Sequence, residues 1–314
     1  MFVKSLLHTF LKESLSHRAK LGALTQAVDA LIDTNRLVLT SLGRSIKNGN
    51  LTKSNINKMD RLIGSENFHN DRKSLFKKVN RKLLKSIEHP VIAIDWSSVH
   101  PGTQLQLLCA TVCVKGRGVV CYEKLFPKKL YNSQQAHKLF IQGLFEVLPE
   151  GCRPIILTDA ASSFGVFWFK LISRYNWFWI GRTRRGKQLF SIAGNQKTVS
   201  QLYQHSTSRV TLYTQVAFTK SHQLPCNLTV VNKKSAHKKI QKKFHAKRSH
   251  RHTTAKHKLK GNDPWVLVSS PNLTVSKEKI VQLYACRMMI EERFRDTKGE
   301  CSANCVNFKE NMIS

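Results

Sequence analysis

The chain has 314 residues, which is long enough to bury a sizeable core and to form more than one domain. Hydrophobic residues make up 41% of it, a normal share for a globular protein, so wholesale disorder is excluded. The 52 Lys and Arg residues against 19 Asp and Glu residues give a formal net charge of +33. This excess is costly in self-repulsion unless a polyanion neutralises it, and nucleic acid is favoured over an anionic membrane.

No run of 18 apolar residues is present, so the sequence predicts no membrane-spanning helix. The first residues lack the long apolar segment and the small-residue cleavage site of a secretion signal. Eight cysteines occur without a CxxC pair, and Cys301 and Cys305 have no second pair nearby that would complete a zinc site. We therefore expect reduced thiols in a cytoplasmic protein rather than disulfides or zinc.

The first 88 residues carry apolar residues at helical spacing and predict an all-α N-terminal domain over 1–88. Two short helical patterns, Arg36–Ile46 and Ser54–Ile63, flank a polar turn, and a further helix is predicted over Asp71–Ile87. The second pattern, with the residues beside it, presents basic and amide side chains on its polar side: Lys53, Asn55, Asn57, Lys58 and Arg61. This arrangement favours a helix-turn-helix reader whose second helix enters a major groove, and an ordinary basic helical bundle is the alternative.

From residue 89 the pattern changes to short apolar strands with helices between them. The predicted elements, in chain order, are strands over Val91–Ile94, Leu105–Val114 and Val119–Phe126, a helix over Ser133–Val147, a strand over Ile155–Leu157, a helix over Phe164–Arg174 and a strand over Trp177–Gly181. This is the element order of the ribonuclease-H-like fold, whose first and fourth strands are parallel neighbours. We therefore expect an α/β core, with its first part at 89–184.

Asp95 and Asp159 follow the two short buried strands that this fold makes neighbours. An acid at the carboxyl end of such a strand lies where ligands bind in an open α/β sheet. One aspartate there would usually be a cap or turn residue, whereas two on neighbouring strands indicate metal ligands.

A β-rich stretch follows, with an irregular strand pattern over 197–231 and a clearer one at Trp265–Val268. The basic loop between them, at 232–260, contains no acid, and from Lys233 to Lys260 it holds twelve Lys or Arg and five His. Charge runs of this kind are usually solvated. Because nothing acidic within this one could neutralise it, we expect it to follow a phosphate backbone.

A single helix is predicted over 277–298, with Ser276 as its N-cap and Gly299 after its end. At about 100° per residue, four polar residues share one stripe about 60° wide: Tyr284, Arg287, Glu291 and Lys298. An apolar stripe beside them can pack on a sheet: Leu283, Ile290 and Phe294. Glu292 points about 100° away from Glu291 and is the weaker candidate ligand. The alternative is a solvent-facing stripe with intrahelical ion pairs.

The spacing Tyr284-x2-Arg287-x3-Glu291-x6-Lys298 resembles the Y-x2-R-x3-E-x6-K signature of a large family of DDE-type bacterial insertion-sequence transposases. Asp95 and Asp159 fall where the two aspartates of that family fall. Short stretches resemble the branch that includes the transposase of a tetracycline-resistance transposon's flanking elements: Leu42-Gly43-Arg44, Met59-Asp60-Arg61-Leu62, Ile94-Asp95-Trp96-Ser97, Tyr122-Glu123-Lys124 and Asp263-Pro264-Trp265-Val266-Leu267. The resemblance covers about residues 20–300.

The resemblance implies that Asp95, Asp159 and Glu291 are the catalytic residues and the metal ligands of a cut-and-paste transposase. Mg²⁺, for which Mn²⁺ can substitute, suits such oxygen ligands. Asp95 would bridge two ions, and Asp159 and Glu291 would each complete one site. Water would cut one strand at the element end, and the freed 3′-OH would be the next nucleophile, first in a hairpin and then in strand transfer.

The same resemblance implies DNA contacts near these carboxylates. Tyr284, Arg287 and Lys298 would grip phosphates. Trp265 is the candidate platform for a flipped base, and a core tryptophan is an equal alternative. The implied partners are double-stranded DNA, as terminal inverted repeats and as target, and a second protomer if the full-length C-terminus were present. The protein would act in a bacterial cytoplasm at the nucleoid.

In family terms, 185–270 is expected to be an inserted β-rich domain and 271–299 the core helix that carries the glutamate. The tail at 300–314 does not resemble the family's continuation, and we expect a shortened chain. Three other functions compete with a transposase: a catalytically dead truncated form that only binds DNA, a metal-dependent nuclease without joining activity, and a basic RNA-associated protein. The last explains the charge but neither the paired aspartates nor the patterned helix.

Overall fold

The structure, a computed structural model, describes residues 8–13, 18–99, 103–114, 117–159, 164–183, 189–232 and 264–299. It has the predicted mixed α/β composition and divides into two compact units. The first unit consists of Met1–Arg153 with Met288–Ser314, and the second is Pro154–Arg287. The basic loop beyond residue 232 and the tail at 300–314 lie outside the described residues. No helix in the described ranges has the length and apolar character needed to cross a bilayer.

The N-terminal part of the first unit is helical. Its helices are α1 at residues 8–13, α2 (Arg18–Thr34), α3 (Leu39–Ser45), α4 (Thr52–Ile63) and α5 (Glu66–Leu83). Ala30, Leu42 and Met59, one each from α2, α3 and α4, form a buried apolar cluster. The two short helices predicted from the sequence are thus confirmed as α3 and α4, while a separate domain over 1–88 stays a prediction.

The turn between α3 and α4 is held by two asparagine side chains. Asn48 and Asn55 exchange amide hydrogen bonds of 3.1 and 3.0 Å, and Asn55 Nδ2 also donates to the carbonyl of Ile46 at 3.3 Å. Asn55 is only 2% exposed. The expectation that it belongs to the polar face of α4 is therefore wrong, because its amide satisfies turn groups that α4 covers.

The first unit also contains an antiparallel sheet in the order β3-β2-β1. Its elements are β1 (Val91–Ser98), β2 (Leu105–Val114), β3 (Arg117–Pro127), a 3-10 turn (Lys128–Leu130) and α6 (Gln134–Val147). Ser133 caps α6 by accepting from the backbone N–H of Ala136 at 3.1 Å. Helix α6 packs on β3 and α5. Helix α10 (Met288–Gly299) belongs to this unit too and contacts both β1 and β3.

The second unit has one sheet in the order β4-β5-β10-β9-β8-β6-β7. Its strands are β4 (Ile155–Thr158), β5 (Phe178–Thr183), β6 (Leu189–Ile192), β7 (Asn195–Thr198), β8 (Thr211–Phe218), β9 (Leu224–Val231) and β10 (Trp265–Ser269). Its helices are α7 (Val166–Ser173), α8 (Val199–Gln204) and α9 (Lys277–Ala285). Strands β4 and β5 are parallel, and β10 pairs antiparallel with both β5 and β9. The β-rich stretch therefore continues the sheet that β4 and β5 begin.

The single helix predicted over 277–298 is wrong. Helix α9 ends at Ala285, Cys286 and Arg287 form a turn, and α10 begins at Met288. Ser276 is confirmed as the N-cap of α9, since its side chain accepts from the N–H of Lys279 at 3.1 Å. Because the helix is interrupted between Tyr284 and Glu291, the rotation of about 100° per residue cannot be used to place these two residues on one stripe.

Candidate functional site

Asp95 lies within β1 rather than after it. The strand continues through Trp96 and Ser97 to Ser98, so the prediction that it ends at the aspartate is wrong. Asp95 is half-buried and stands opposite Cys109 of β2. One of its carboxylate oxygens accepts from the backbone N–H of Trp96 at 2.8 Å. The strand thus extends past the site because the residues after Asp95 still pair with β2.

Glu291 lies in the first turn of α10, in the same unit as Asp95. Negative charge is favoured there by the helix dipole. The preceding residue, Ile290, is fully buried, Glu291 is half-buried and Glu292 is exposed. Since α10 packs on β1, the structure places both residues on contacting elements of one unit.

Asp159 belongs to the second unit and directly follows β4, as predicted. All four residues of that strand are buried, whereas Asp159 itself is half-buried. Gly181 on the adjacent β5 allows a close approach, because a Cβ there would lie 2.9 Å from Cε1 of Phe169 and 3.4 Å from the hydroxyl of Thr158. The end of β4, which carries Asp159, therefore packs tightly against β5 at Gly181.

Tyr284 and Arg287 come together with Asp159 in the second unit. Tyr284 is 3% exposed and Arg287 is 8% exposed. Burial raises the pKa of the Tyr284 phenol well above its ordinary value; Arg287 and Arg182 oppose this shift, and Asp159 adds to it. The Arg287 side chain also lowers this pKa as a hydrogen-bond donor to the phenol oxygen. The phenol therefore stays protonated at neutral pH and can donate a hydrogen bond.

Arg182 is a residue of this cluster that sequence reasoning missed. It follows Gly181 on β5 and pairs with Leu267 of β10. The sequence signal is a charged residue that continues an apolar strand, since the predicted strand stops at Gly181 whereas β5 continues to Thr183. Arg182, Arg287 and Asp159 all lie near enough to the Tyr284 phenol for their charges to act on it, and two guanidinium groups in one cluster can bind a phosphate.

Trp265 begins β10 and is half-buried. Its ring meets the ring of Tyr284 edge-on, with centroids 5.1 Å apart and an interplanar angle of 81°. The structure thus brings Trp265 into the cluster of the second unit, and its role as a base platform stays a prediction. Lys298 is part of α10, but its side chain lies outside what the structure describes.

The basic residues predicted to read DNA lie on α4. Lys53 and Arg61 are exposed, and Arg61 Nε donates to the carbonyl of Asn57 at 3.3 Å. Lys58 is half-buried and its ammonium donates to Gln26 of α2 at 2.7 Å. Lys58 therefore ties α4 to α2, whereas Lys53 and Arg61 present their charge to solvent.

Asp95, Asp159 and Glu291 offer only carboxylate oxygens, the donor type that Mg²⁺ and Mn²⁺ prefer. Across the described ranges, no group of three or more His, Cys, Asp or Glu residues is arranged to hold a metal ion. The donor chemistry fits a hard divalent cation, and the ligand set stays a prediction.

Comparison with known proteins identifies one family. The model described as the transposase DDE domain matches residues 87–309, more than two thirds of the chain. The matched span includes both aspartates, Glu291 and the cluster around Tyr284. No curated protein sequence matches the chain.

Proposed function

Since the chain belongs to the transposase DDE-domain family, we propose that it cuts DNA at the ends of an insertion sequence and joins those ends to a target. The observation that carries the proposal is the family match over a span that contains an Asp on β1, an Asp after β4 and a Glu on α10. The signature Tyr284-x2-Arg287-x3-Glu291-x6-Lys298 supports the narrower assignment to insertion-sequence transposases of the cut-and-paste type.

Asp95, Asp159 and Glu291 would hold Mg²⁺, or Mn²⁺ in its place. Divalent metal supplies an activated oxygen nucleophile and a stabilised leaving oxygen. The carboxylates would hold the metal beside the scissile phosphate, and water would cut first, with the freed 3′-OH as the next nucleophile, in line with the leaving oxygen.

Tyr284, Arg287 and Lys298 would hold DNA phosphates beside the scissile bond. Charge-assisted hydrogen bonds from a guanidinium to phosphate are about twice as strong as neutral ones, and the buried surroundings of Arg287 reduce competition from water. The phenol of Tyr284 would donate to a phosphate oxygen, and Trp265 next to it would accept an unstacked base.

Lys53 and Arg61 on α4 would contact the terminal repeats, with Lys58 partly committed to Gln26. A formal charge of +33 supplies the counter-charge for duplex DNA at the terminal repeats and at the target. Pairing of two ends by two protomers completes the proposed reaction, which takes place at the nucleoid.

A cleavage assay on labelled DNA from the element's ends tests the proposal. Wild type with Mg²⁺ or Mn²⁺ is expected to nick at the element boundary, and Asp95→Ala and Asp159→Ala are expected to bind the same DNA without nicking it. Binding of the repeats without nicking by wild type in either metal would favour the alternative, a protein that only occupies element ends.

A further inference from the structure

Three residues form a row across the sheet of the first unit. Asp95 of β1 pairs with Cys109 of β2, and Cys109 pairs with Glu123 of β3. Directly opposed residues project their side chains on the same face of a sheet. Glu123 is therefore a second carboxylate on the face that carries Asp95, two strand spacings or about 10 Å away.

Arg293 of α10 lies over this row. Its Nη1 is 3.5 Å from the sulfur of Cys109, and its Nη2 is 3.9 Å from a carboxylate oxygen of Glu123. The Arg293 side chain is 22% exposed and that of Glu123 is 29% exposed, so water screens this pair only partly. Arg72 of α5 approaches the other carboxylate oxygen of Glu123, with its Nη2 at 3.5 Å.

Neither Cys109 nor Glu123 fits a chemical role of its own. Burial raises the pKa of the Cys109 thiol to about 12, with the charge of Arg293 opposing the shift, so the thiol is not a nucleophile at neutral pH. The Glu123 carboxylate pairs with two guanidinium groups, Arg293 at 3.9 Å and Arg72 at 3.5 Å, and ion pairing therefore accounts for it without a metal. The row instead provides a fixed point on the sheet for the guanidinium of Arg293.

Arg293 lies two residues after Glu291 on the same short helix. The contacts of its guanidinium with Cys109 and Glu123 link α10 to β2 and β3. We propose that Arg293 and Glu123 are positioning residues. They would hold the Glu291 carboxylate where it can bind metal together with Asp95. This inference rests on the proposed function, since it assigns a role to both residues within that same site.

The chain contains a matched control for this pair. Arg117 of β3 and Asp296 of α10 also join the same strand and helix, at 3.3 Å, but the Arg117 side chain is 80% exposed and that of Asp296 is 43% exposed. Exposed ion pairs of this kind contribute little to stability. Loss of the Asp296 charge therefore removes one link between α10 and β3 without disturbing the row that contains Asp95.

The experiment measures Mn²⁺ affinity of the full chain by electron paramagnetic resonance, alongside nicking of element-end DNA at saturating Mn²⁺. The variants are Glu123→Gln, Arg293→Gln, their double mutant, Arg293→Lys and the control Asp296→Asn. Removal of a residue that supports a metal ligand typically weakens metal binding by about 10- to 100-fold. We expect the Mn²⁺ affinity to fall about tenfold in each single glutamine variant. The double mutant should show no further loss of affinity, because the pair acts as one unit.

Arg293→Lys keeps the positive charge and is expected to recover part of the Mn²⁺ affinity, while Asp296→Asn stays within about twofold of wild type. Wild-type affinity in Glu123→Gln and Arg293→Gln would overturn the inference and leave the proposed function standing. Equal weakening in Asp296→Asn would also overturn it, because any loosening of α10 would then suffice. A wild-type chain that binds no Mn²⁺ would overturn the proposed function itself, and the positioning role with it.

Discussion

Gly43→Ala is expected to push α3 away from α4 and to weaken the helical region proposed to read element ends. Gly43 is buried in α3. A Cβ on it would lie 2.7 Å from both the Cα and the backbone N of Ile56 in α4, closer than a Cβ atom approaches backbone in folded proteins. Because the obstacle is the backbone of a neighbouring helix, the two helices must separate.

The cost of this change follows from two opposing terms. Overpacking a well-packed site costs about 1–3 kcal/mol, and a backbone obstacle places this site near the upper end. The higher helix propensity of Ala relative to Gly stabilises the folded state by about 1 kcal/mol. The net loss is therefore about 2 kcal/mol, which corresponds to a fall in Tm of roughly 4–8 °C for a domain of 150–250 residues.

Gly22→Ala is the matched control, since Gly22 is an exposed position of α2 where an added methyl group would meet nothing within 4 Å. It gains the same propensity without the clash, so its Tm is expected to rise by roughly 2–4 °C. Differential scanning calorimetry of both variants, with binding to terminal-repeat DNA measured in parallel, provides the test. Shifts in Tm of the same sign would refute the close approach of α3 and α4.

Three further predictions concern single side chains. Tyr284→Phe removes a buried hydroxyl whose neighbour is the Arg287 guanidinium. Denaturant unfolding should show a change in stability within about 1.5 kcal/mol, while affinity for nicked element-end DNA falls about tenfold. Burial lowers the pKa of His137 to about 4, below its value in the unfolded chain. Wild type should therefore lose up to about 3 kcal/mol of stability as pH falls from about 6.5 to 4, and His137→Leu should make stability less dependent on pH over this range. Lys53→Ala should lower the slope of DNA affinity against salt by about one without changing Tm, whereas Lys58→Ala should also lower Tm because it loses Gln26.

The strands of the chain were largely predictable because buried strands are short, apolar and bounded by polar turns. Strand β2 was predicted to the residue at Leu105–Val114, and the position of Asp159 directly after β4 followed from the apolar run before it. The hairpin of β6 and β7 was not predictable in the same way. Its two-residue turn places Ala193 and Gly194 at φ values of 48° and 81°, and alanine gives no sequence signal for such a backbone.

The break between α9 and α10 was not predictable from local sequence, because Cys286 and Arg287 have ordinary helix propensities. It follows from packing: α9 contacts β5 and β9 of the second unit, and α10 contacts β1 and β3 of the first. Periodicity reports only which residues are apolar, and both helices keep their apolar side, with Leu283 8% and Ile290 0% exposed. The chain changes its packing partner at a point that periodicity does not mark.

The residues of the candidate site also fall into predictable and unpredictable groups. Motif spacing selected the three carboxylates as candidates, since their residue types and order carry the resemblance, and their role as ligands stays a prediction. The partners around them depend on strand register, which a one-residue slip would change. Arg182 and Glu123 therefore became candidates only once β5 was paired with β10 and β3 with β2.

A carboxylate on α10 is proposed to support metal-dependent cleavage of DNA, and two adjacent glutamates allow the most direct test of this role. Glu291 is half-buried beside the fully buried Ile290, and Glu292 is exposed. In nicking of labelled element-end DNA with Mg²⁺, Glu291→Gln is expected to lose roughly a thousandfold in rate, about 4 kcal/mol of transition-state stabilisation, while still binding the DNA. Glu292→Gln is expected to stay within about threefold of wild type. Equal losses in the two variants, or full activity in Glu291→Gln, would contradict the account.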